Sequence, residues 1–404
     1  MLMRVTMPVL NFMNKRLRKL IMSKRVKTLL LLATMAAVWS CKTTDPSPAP
    51  IIQAPIAHQP KNIILLIGDG MGLTQVSAGL FHNNNRFSLE KFPVVGLHKS
   101  HSADYLITDS AAGATAFACG RKTLNGTIGM TPDSLACETI LEEMETKGYA
   151  TGVVVTSTIV HATPAAFFAH QPLRVFYENI AADMVERDID LLIGGGLEYF
   201  TNRSIDERNL VEELKTKGYK VGSFNRQSLR KFTPVAEQNF AYFTAQTQPA
   251  EVLEGRDYLP SASLMAAEFL SQKNQQGFFL VVEGSQIDWA GHANDQQALI
   301  KELMDFDQTI NNLLNFARKR GDTLVLVTAD HETGGLAINP GSKAGRLKLA
   351  FNLNDHTATM IPVFAYGPQA ELFSGIYDNT EIYHKMRQAM GWQAKESHTY
   401  RPSK

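Results

Sequence analysis

Four apolar runs in this chain each end in residues that can do chemistry. Ile63-Ile-Leu-Leu-Ile67 leads into Gly68-Asp69-Gly70-Met71-Gly72. Val153-Val-Val155 leads to His161-Ala-Thr-Pro164, and Phe278-Phe-Leu-Val-Val282 runs into Glu283, then Asp288 and His292. Thr323-Leu-Val-Leu-Val327 runs into Asp330-His331-Glu332. Asp288 and His292 stand four apart, so one helical turn presents both on the same side. Carboxylate oxygen and imidazole nitrogen together suit zinc. Adjacent Asp330 and His331 can share one ion only if the backbone leaves regular strand geometry there. His356, in Asn354-Asp-His-Thr, adds another imidazole before an apolar run at Ile361. A single histidine is more often an ordinary surface or hydrogen-bonded residue. The joint placement argues otherwise, because chance would not put so many of these groups just after apolar runs.

A nucleophile is available as well. In Tyr105-Leu-Ile-Thr-Asp-Ser-Ala-Ala-Gly-Ala-Thr-Ala116, Ser110 follows Asp109 and starts a run of small helix formers. That reads as a helix N-terminus, where free N–H groups and the helix dipole favour anions. By itself the pattern is also that of a common N-cap. A serine hydroxyl is a weak nucleophile at neutral pH and needs a base or a metal. No Gly-x-Ser-x-Gly elbow is present, so activation by metal fits better than a hydrolase triad. Arg174 opens a predicted helix after the His161 segment, and its guanidinium could clamp an oxyanion bidentately. Spacing alone does not distinguish it from a surface arginine.

The elements that must position these groups follow from periodicity. Strands are expected at 62–67, 151–155, 191–193, 278–282, 323–327 and 361–366. Helices are expected at 109–118, 134–147, 175–186, 206–217, 261–272 and 296–318. Short apolar strands alternating with helices imply an α/β fold, a mostly parallel sheet sandwiched between helices. Ligands in such sheets bind beyond the carboxyl ends of the strands. Residues 200–260 are more polar and less periodic, and read as a surface insertion with one or two helices.

Composition bounds the rest. The chain has 404 residues, 44% hydrophobic and 20% charged, as expected of a globular protein. Residues 1–41 hold eight Lys or Arg and no acidic residue, then an apolar run from Leu29 to Val38. This is the plan of an export signal. Val38-Trp-Ser-Cys41 is similar to a bacterial lipobox, which would anchor Cys41 to a membrane by a lipid. Without that segment 32 basic residues face 39 acidic ones. That mildly acidic balance gives no sign of nucleic-acid binding. Residues 42–60 contain five prolines and read as a tether, with the catalytic domain expected at 61–392 and a tail at 393–404. Cys119 and Cys137 are expected either to pair, as export would permit, or to remain buried thiols.

Taken together, Gly68-Asp-Gly-Met-Gly72, Thr108-Asp-Ser-Ala-Ala-Gly-Ala-Thr115, His161-Ala-Thr-Pro-Ala-Ala166, Val282-Glu-Gly-Ser-Gln-Ile-Asp288 with His292, Thr328-Ala-Asp-His331 and His356-Thr-Ala resemble the motifs of the metal-dependent alkaline phosphatases. They occur in that family's order across roughly residues 61–367. The resemblance implies hydrolysis of small-molecule phosphate monoesters with two zinc ions and one magnesium. It implies Ser110 as the nucleophile that becomes phosphorylated. Asp288, His292 and His356 would hold the first zinc, which activates water for the second step. Asp69, Asp330 and His331 would hold the second beside Ser110. Asp69 would bridge to magnesium, completed by Thr163 and Glu283. Arg174, eleven residues after Thr163, would clamp the phosphate, oriented by Asp109.

Three departures accompany the resemblance. His161 and Trp289 stand where some members carry Asp and Lys, beside the magnesium ligands and the phosphate. A histidine there favours zinc at the third site, and Trp289 removes a possible cation. Only 24 residues separate His331 from His356, where larger relatives place an elaborated subdomain. Oligomer contacts made through that subdomain are therefore not implied, and monomer and homodimer both stay open. The main alternative is a phosphodiesterase of the same superfamily, but Glu283, Thr163 and Arg174 favour the monoesterase. A sulfatase would need a Cys/Ser-x-Pro-x-Arg context that Ser110 lacks. A non-catalytic metal or phosphate scavenger would have no use for the nucleophile.

Overall fold

The computed structural model describes residues 58–393, apart from 236 and 274. The expected export signal, the lipid-anchored Cys41 and almost all of the tether and tail lie outside the described residues. No described helix is long and apolar enough to cross a membrane.

Fourteen strands are formed among the described residues. They are β1 (Asn62–Gly68), β2 (Val94–Lys99), β3 (Ala150–Thr158), β4 (Leu191–Gly195), β5 (Lys220–Ser223), β6 (Phe240–Phe243), β7 (Phe278–Gly284), β8 (Thr323–Thr328), β9 (Glu332–Thr333), β10 (Ala337–Ile338), β11 (Leu349–Ala350), β12 (His356–Thr357), β13 (Ile361–Tyr366) and β14 (Gly375–Asp378). Ten of them make one sheet in the order β14-β2-β13-β8-β1-β7-β3-β4-β6-β5. All neighbours run parallel except β13, which is antiparallel to both β2 and β8. The central strands carry apolar residues on both faces. Ile63, Leu65 and Ile67 enter one core, and Ile64 and Leu66 enter the other. Helices on each side cover them, which is why β1 reads as an unbroken apolar run rather than an alternation.

All six expected strands form, and the α/β sandwich is the one anticipated. The stretch 200–260 is a correction. It holds one helix of more than a single turn, Leu210–Thr216, but also β5 and β6, which extend the main sheet: β6 pairs parallel with β4, and β5 pairs parallel with β6. β6 is only four residues long, and β5 includes Lys220 and Gly222, so neither presents a strand-length apolar run. The helix expected from 134 begins at Ile140 instead. Ser134 sits at φ 62°, outside helical geometry, and Thr139 caps the true start through the Glu142 amide. Those expected from 175 and 206 start at Tyr177 and Leu210.

Between His331 and His356 the chain makes only two small ribbons, β10 with β11 and β9 with β12. The second ribbon pairs His356 with Thr333 and so brings His356 beside the end of β8. Cys119 and Cys137 are free thiols, with Cys119 Sγ 3.3 Å from the Cys137 carbonyl.

Candidate active site

The strand ends deliver the predicted groups to one place. Asp69 follows β1, His161 and Thr163 follow β3, Glu283 ends β7, and Asp330 and His331 follow β8. The turn Gln286–His292 after β7 is helical, so Asp288 and His292 do share a side. Gly70 is required in this packing. It has φ 72°, and a β-carbon there would lie 2.7 Å from Thr333 Oγ1 and 2.9 Å from the Asp288 backbone.

Asp109, rather than Ser110, is the N-cap of the helix Ser110–Cys119; its Oδ1 accepts from the Ala112 amide at 3.0 Å. Ser110 is thereby free to face the site, with its Oγ 3.4 Å from His331 Nε2. The run of small residues has a packing reason. A β-carbon on Gly113 would come within 3.0 Å of Asp330 Cβ, so the helix lies directly against the carboxylate cluster. The second Asp109 oxygen accepts from Arg174 Nη1 at 3.0 Å and from the Gly126 amide at 2.9 Å. The Arg174 amide in turn donates to the Gly126 carbonyl at 2.7 Å. Its Nη2 lies 3.4 Å from His161 Nε2, and the His161 ring meets Trp289 edge-on at 6.0 Å.

An outer group consists of Asp288, His292 and His356. Asp288 Oδ1 lies 3.4 Å from His292 Nε2 and 3.5 Å from His356 Nε2. Each ring gives its Nδ1–H to a carbonyl at 2.8 Å, His292 to Asn354 and His356 to Thr108. Their Nε2 atoms then face one another 3.0 Å apart. Two lone pairs cannot sit so close without a cation between them, whether a proton or a metal ion. The hydrogen bond to Asp288, opposed by burial, pushes His292 up to about 9. Burial works against Asp288 ionising, yet the bonds from His292 and His356 hold it well below the usual carboxylate range.

An inner group is fully buried. His331 Nε2 lies 3.4 Å from Asp69 Oδ1 and 3.3 Å from Asp330 Oδ2. Asp69, His161 and Glu283 converge beside it, with Thr163 Oγ1 donating to Asp69 Oδ2 at 3.4 Å and Ser157 Oγ to Glu283 Oε2 at 3.3 Å. No hydrogen bond reaches Asp69 Oδ1, Asp330 Oδ2, Glu283 Oε1 or His161 Nδ1. Burial, then Asp330 and Asp288, push Asp69 well above the normal carboxylate range. Burial takes Glu283 up to about 7, and burial with Asp288 takes Asp330 up to about 6. Burial and then Arg174 lower His161 to about 3; burial and then His356 lower His331. Buried oxygen and neutral imidazole donors left without partners are what a divalent cation completes.

Every catalytic, phosphate-binding or metal-ligand candidate named from sequence lies in this one constellation. Thr333 was not singled out. Its hydroxyl donates to Asp288 Oδ1 and lies 3.2 Å from His331 Nδ1, so it joins the two groups. Glu332 also has a supporting place, accepting from Gln75 Nε2 at 2.7 Å and the Leu336 amide at 3.0 Å. Only their adjacency to Asp330-His331 could have pointed to them.

The sequence model described as alkaline phosphatase matches residues 60–350 and 344–392. The chain belongs to the alkaline phosphatase family. It is 32% identical to alkaline phosphatase 3 of Bacillus subtilis (strain 168) over 422 residues, covering 83% of this chain and 90% of that protein. To the alkaline phosphatase of Escherichia coli (strain K12) it is 31% identical, covering 82% of this chain and 86% of that one. Among solved structures it is similar to the alkaline phosphatase of the Antarctic bacterium TAB5. The identity there is 42% and the TM-score 0.78, over 83% of this chain and all of the other. The phosphatase is thus a metal-binding hydrolase of phosphate monoesters.

Proposed function

We propose that the phosphatase works through a phosphoseryl intermediate on Ser110. The observation that carries this reading is the placement of Ser110 Oγ, 3.4 Å from His331 Nε2, on a helix N-terminus whose cap, Asp109, also holds Arg174. Arg174 binds two phosphate oxygens and is kept in place by Asp109. Ser110 Oγ bonds to phosphorus as the ester P–O bond breaks; the alcohol leaves with a proton, and the serine proton passes to solvent. Water then attacks the phosphoserine, the P–Oγ bond breaks, the departing Ser110 Oγ takes up the proton that the water gives up, and phosphate departs. Asp288, His292 and His356 would hold one zinc ion and Asp69, Asp330 and His331 a second. Asp69, Thr163 and Glu283 would hold magnesium. Bound ions supply Lewis acidity and the counter-charge that the buried carboxylates lack.

The third ion depends on His161. A histidine-to-aspartate variant of the TAB5 enzyme was solved with magnesium bound in its M3 site. Here a neutral imidazole stands beside Asp69 and Glu283, so zinc at this position fits as well. His161 and Trp289 border the phosphate seat on that side.

Ser110→Ala should lower kcat by about 10³-fold or more and abolish phosphoenzyme, with the metal content by mass spectrometry unchanged. A labelled intermediate in that variant would refute the nucleophile. Faster turnover of a chromogenic diester than of the matching monoester would point to the diesterase instead.

We further propose export and lipid anchoring at Cys41, supported by the order of basic segment, apolar run and cysteine. Labelled palmitate should enter the wild-type chain and not Cys41→Ser. Equal labelling of the two would overturn the anchor.

A further inference from the structure

His170 lies outside the metal groups, four residues before Arg174, and both of its ring nitrogens face acceptors. Nδ1 is 2.6 Å from the Gly129 carbonyl, and Nε2 is 2.9 Å from Glu142 Oε1. Only the imidazolium can donate at both positions. A neutral ring would turn a lone pair toward one of the two oxygens.

The bond to Gly129 is the first rung of a short ladder that ends at the phosphate clamp. Residues Ile128 and Gln171 exchange both backbone hydrogen bonds, at 2.9 and 3.0 Å. Next along the ladder the Arg174 amide donates to the Gly126 carbonyl at 2.7 Å, and the Gly126 amide donates to Asp109 Oδ2. The Gly129 amide is fastened to Thr115 Oγ1 at 3.1 Å, on the helix that carries Ser110. Gly129 also has φ 57°, and a β-carbon there would lie 2.1 Å from the Ala169 carbonyl, so this rung has no slack. One strip, Gly126–Gly129, is therefore held between the nucleophile helix and the segment that presents Arg174.

We propose that protonated His170 is a positioning residue: by bridging Glu142 and the Gly129 carbonyl it holds the Arg174 segment in register with Asp109 and Ser110, and so sets the grip on phosphate. This rests on the reading of Arg174 as the phosphate clamp. The groups facing His170 are few. Glu142, on the helix Ile140–Thr146, accepts from it and from Arg187 Nη2 at 2.6 Å. Asp183, on the helix Tyr177–Glu186, accepts from the His170 amide at 3.0 Å and from Gln171 Nε2 at 2.8 Å. Burial and Arg187 work against the charged ring; the bonds to Glu142 and Gly129 outweigh them and raise its affinity for the proton. Arg187 keeps Glu142 paired when His170 loses its proton. That loss leaves one N–H for two oxygens, so the bridge between Glu142 and the Gly129 carbonyl opens, while the Gly129 carbonyl keeps the Cys137 amide at 3.0 Å. The grip on phosphate is full while the ring is charged and weakens as pH rises through its titration.

The test measures inhibition by inorganic phosphate in the metal-loaded enzyme, for wild type, His170→Gln, Arg174→Ala and the double variant. His170→Gln keeps a single donor atom, which cannot reach both the Gly129 carbonyl and Glu142 as the two ring nitrogens do. Its phosphate inhibition constant and KM should rise about tenfold, with kcat changed much less and metal content unchanged. In the Arg174→Ala background the same substitution should cost less than twofold, because its effect passes through Arg174. Between pH 6 and 9 the ratio of the two inhibition constants, variant over wild type, should fall toward one. Full additivity of the two substitutions, or a ratio independent of pH, would overturn the proposal. An Arg174→Ala variant that binds phosphate as tightly as wild type would instead sink the clamp reading on which it rests. If His170→Gln unfolds, His170→Asn with a Tm measurement takes its place. The ring's own titration, followed by NMR in wild type, must coincide with the pH step; a neutral ring throughout that range would also overturn the proposal.

Discussion

The outer group, Asp288 with His292 and His356, and the inner group, Asp69, Asp330, Glu283 and His331, differ in what balances their charge. The outer one sets a single carboxylate against two imidazoles and is partly open to solvent through His292. Protons can settle its account: Asp288 stays ionised and His292 stays charged up to about 9. The inner one sets three carboxylates against two neutral imidazoles, His331 and His161, all of them buried. Leaving such charges uncompensated in the interior costs several kcal/mol per ion, and the raised affinity of Asp69, Glu283 and Asp330 for protons is the symptom. A cation entering the outer group must displace protons. One entering the inner group relieves repulsion that burial has already built.

The sharpest way to break this contrast is to remove one ligand from each side. Asp69 belongs to both of the inner clusters of metal-binding groups, whereas His292 belongs to the outer cluster alone. Asp69→Asn should lower kcat by about 10³-fold or more and leave the enzyme short of two ions per chain. His292→Asn should cost one ion. Equal losses from the two variants would show that the groups do not fill independently.

A smaller effect separates the groups by pH in the metal-free enzyme. Asp69, Glu283 and Asp330 bind protons more tightly folded than unfolded, as does His292. The stability that each contributes is full below its unfolded pKa and is lost as pH rises through its folded one, about 6 for Asp330, about 7 for Glu283 and about 9 for His292. His161 and His331 act oppositely, since burial lowers them. Their contribution grows with pH but is complete by about 6.5, the ordinary value for a histidine. Between pH 6.5 and 9 the chelated enzyme should therefore lose thermal stability, by roughly 1–2 °C for each kcal/mol. The metal-loaded enzyme should resist that decline, because metal binding strengthens as the ligands lose protons. A melting temperature of the chelated enzyme that rises across this range would contradict the charge assignment.

The same contrast explains what the sequence disclosed. β1, β3, β7 and β8 are buried on both faces, so each appears as a run of apolar residues, and each ends in a functional group because the site lies at the strand ends. β2 was missed. Its Val94-Val-Gly-Leu-His-Lys mixes exposed and buried positions near the sheet edge. The candidate ligands were legible because most of them directly follow an apolar run. The supports were not. Gly126 and Thr333 act through a backbone carbonyl and one hydroxyl, and their partners Arg174 and Asp288 lie 48 and 45 residues away. No local pattern records such a contact, whereas the resemblance of six ordered motifs brought the ligand set forward as a unit.

The mildest test alters the inner group's charge without removing a ligand. His161 Nδ1 is buried without a hydrogen bond, and burial with the nearby Arg174 keeps the ring neutral down to about 3. It therefore adds a donor to Asp69 and Glu283 but no charge. His161→Asp would add a third carboxylate at this position. Oxygen ligands suit magnesium and imidazole suits zinc, so the variant should bind magnesium about tenfold more tightly and zinc at the third position less selectively. Arg174 offsets part of the added charge, since its Nη2 already lies 3.4 Å from the histidine ring. That new partner should draw the guanidinium away from Asp109 and weaken inhibition by phosphate a few-fold, within the roughly 1.5–3 kcal/mol range of charged hydrogen bonds. Magnesium titration by calorimetry, with phosphate inhibition measured on the same samples, reads both effects. Unchanged magnesium affinity would mean that His161 lies beside the proposed third ion without binding it.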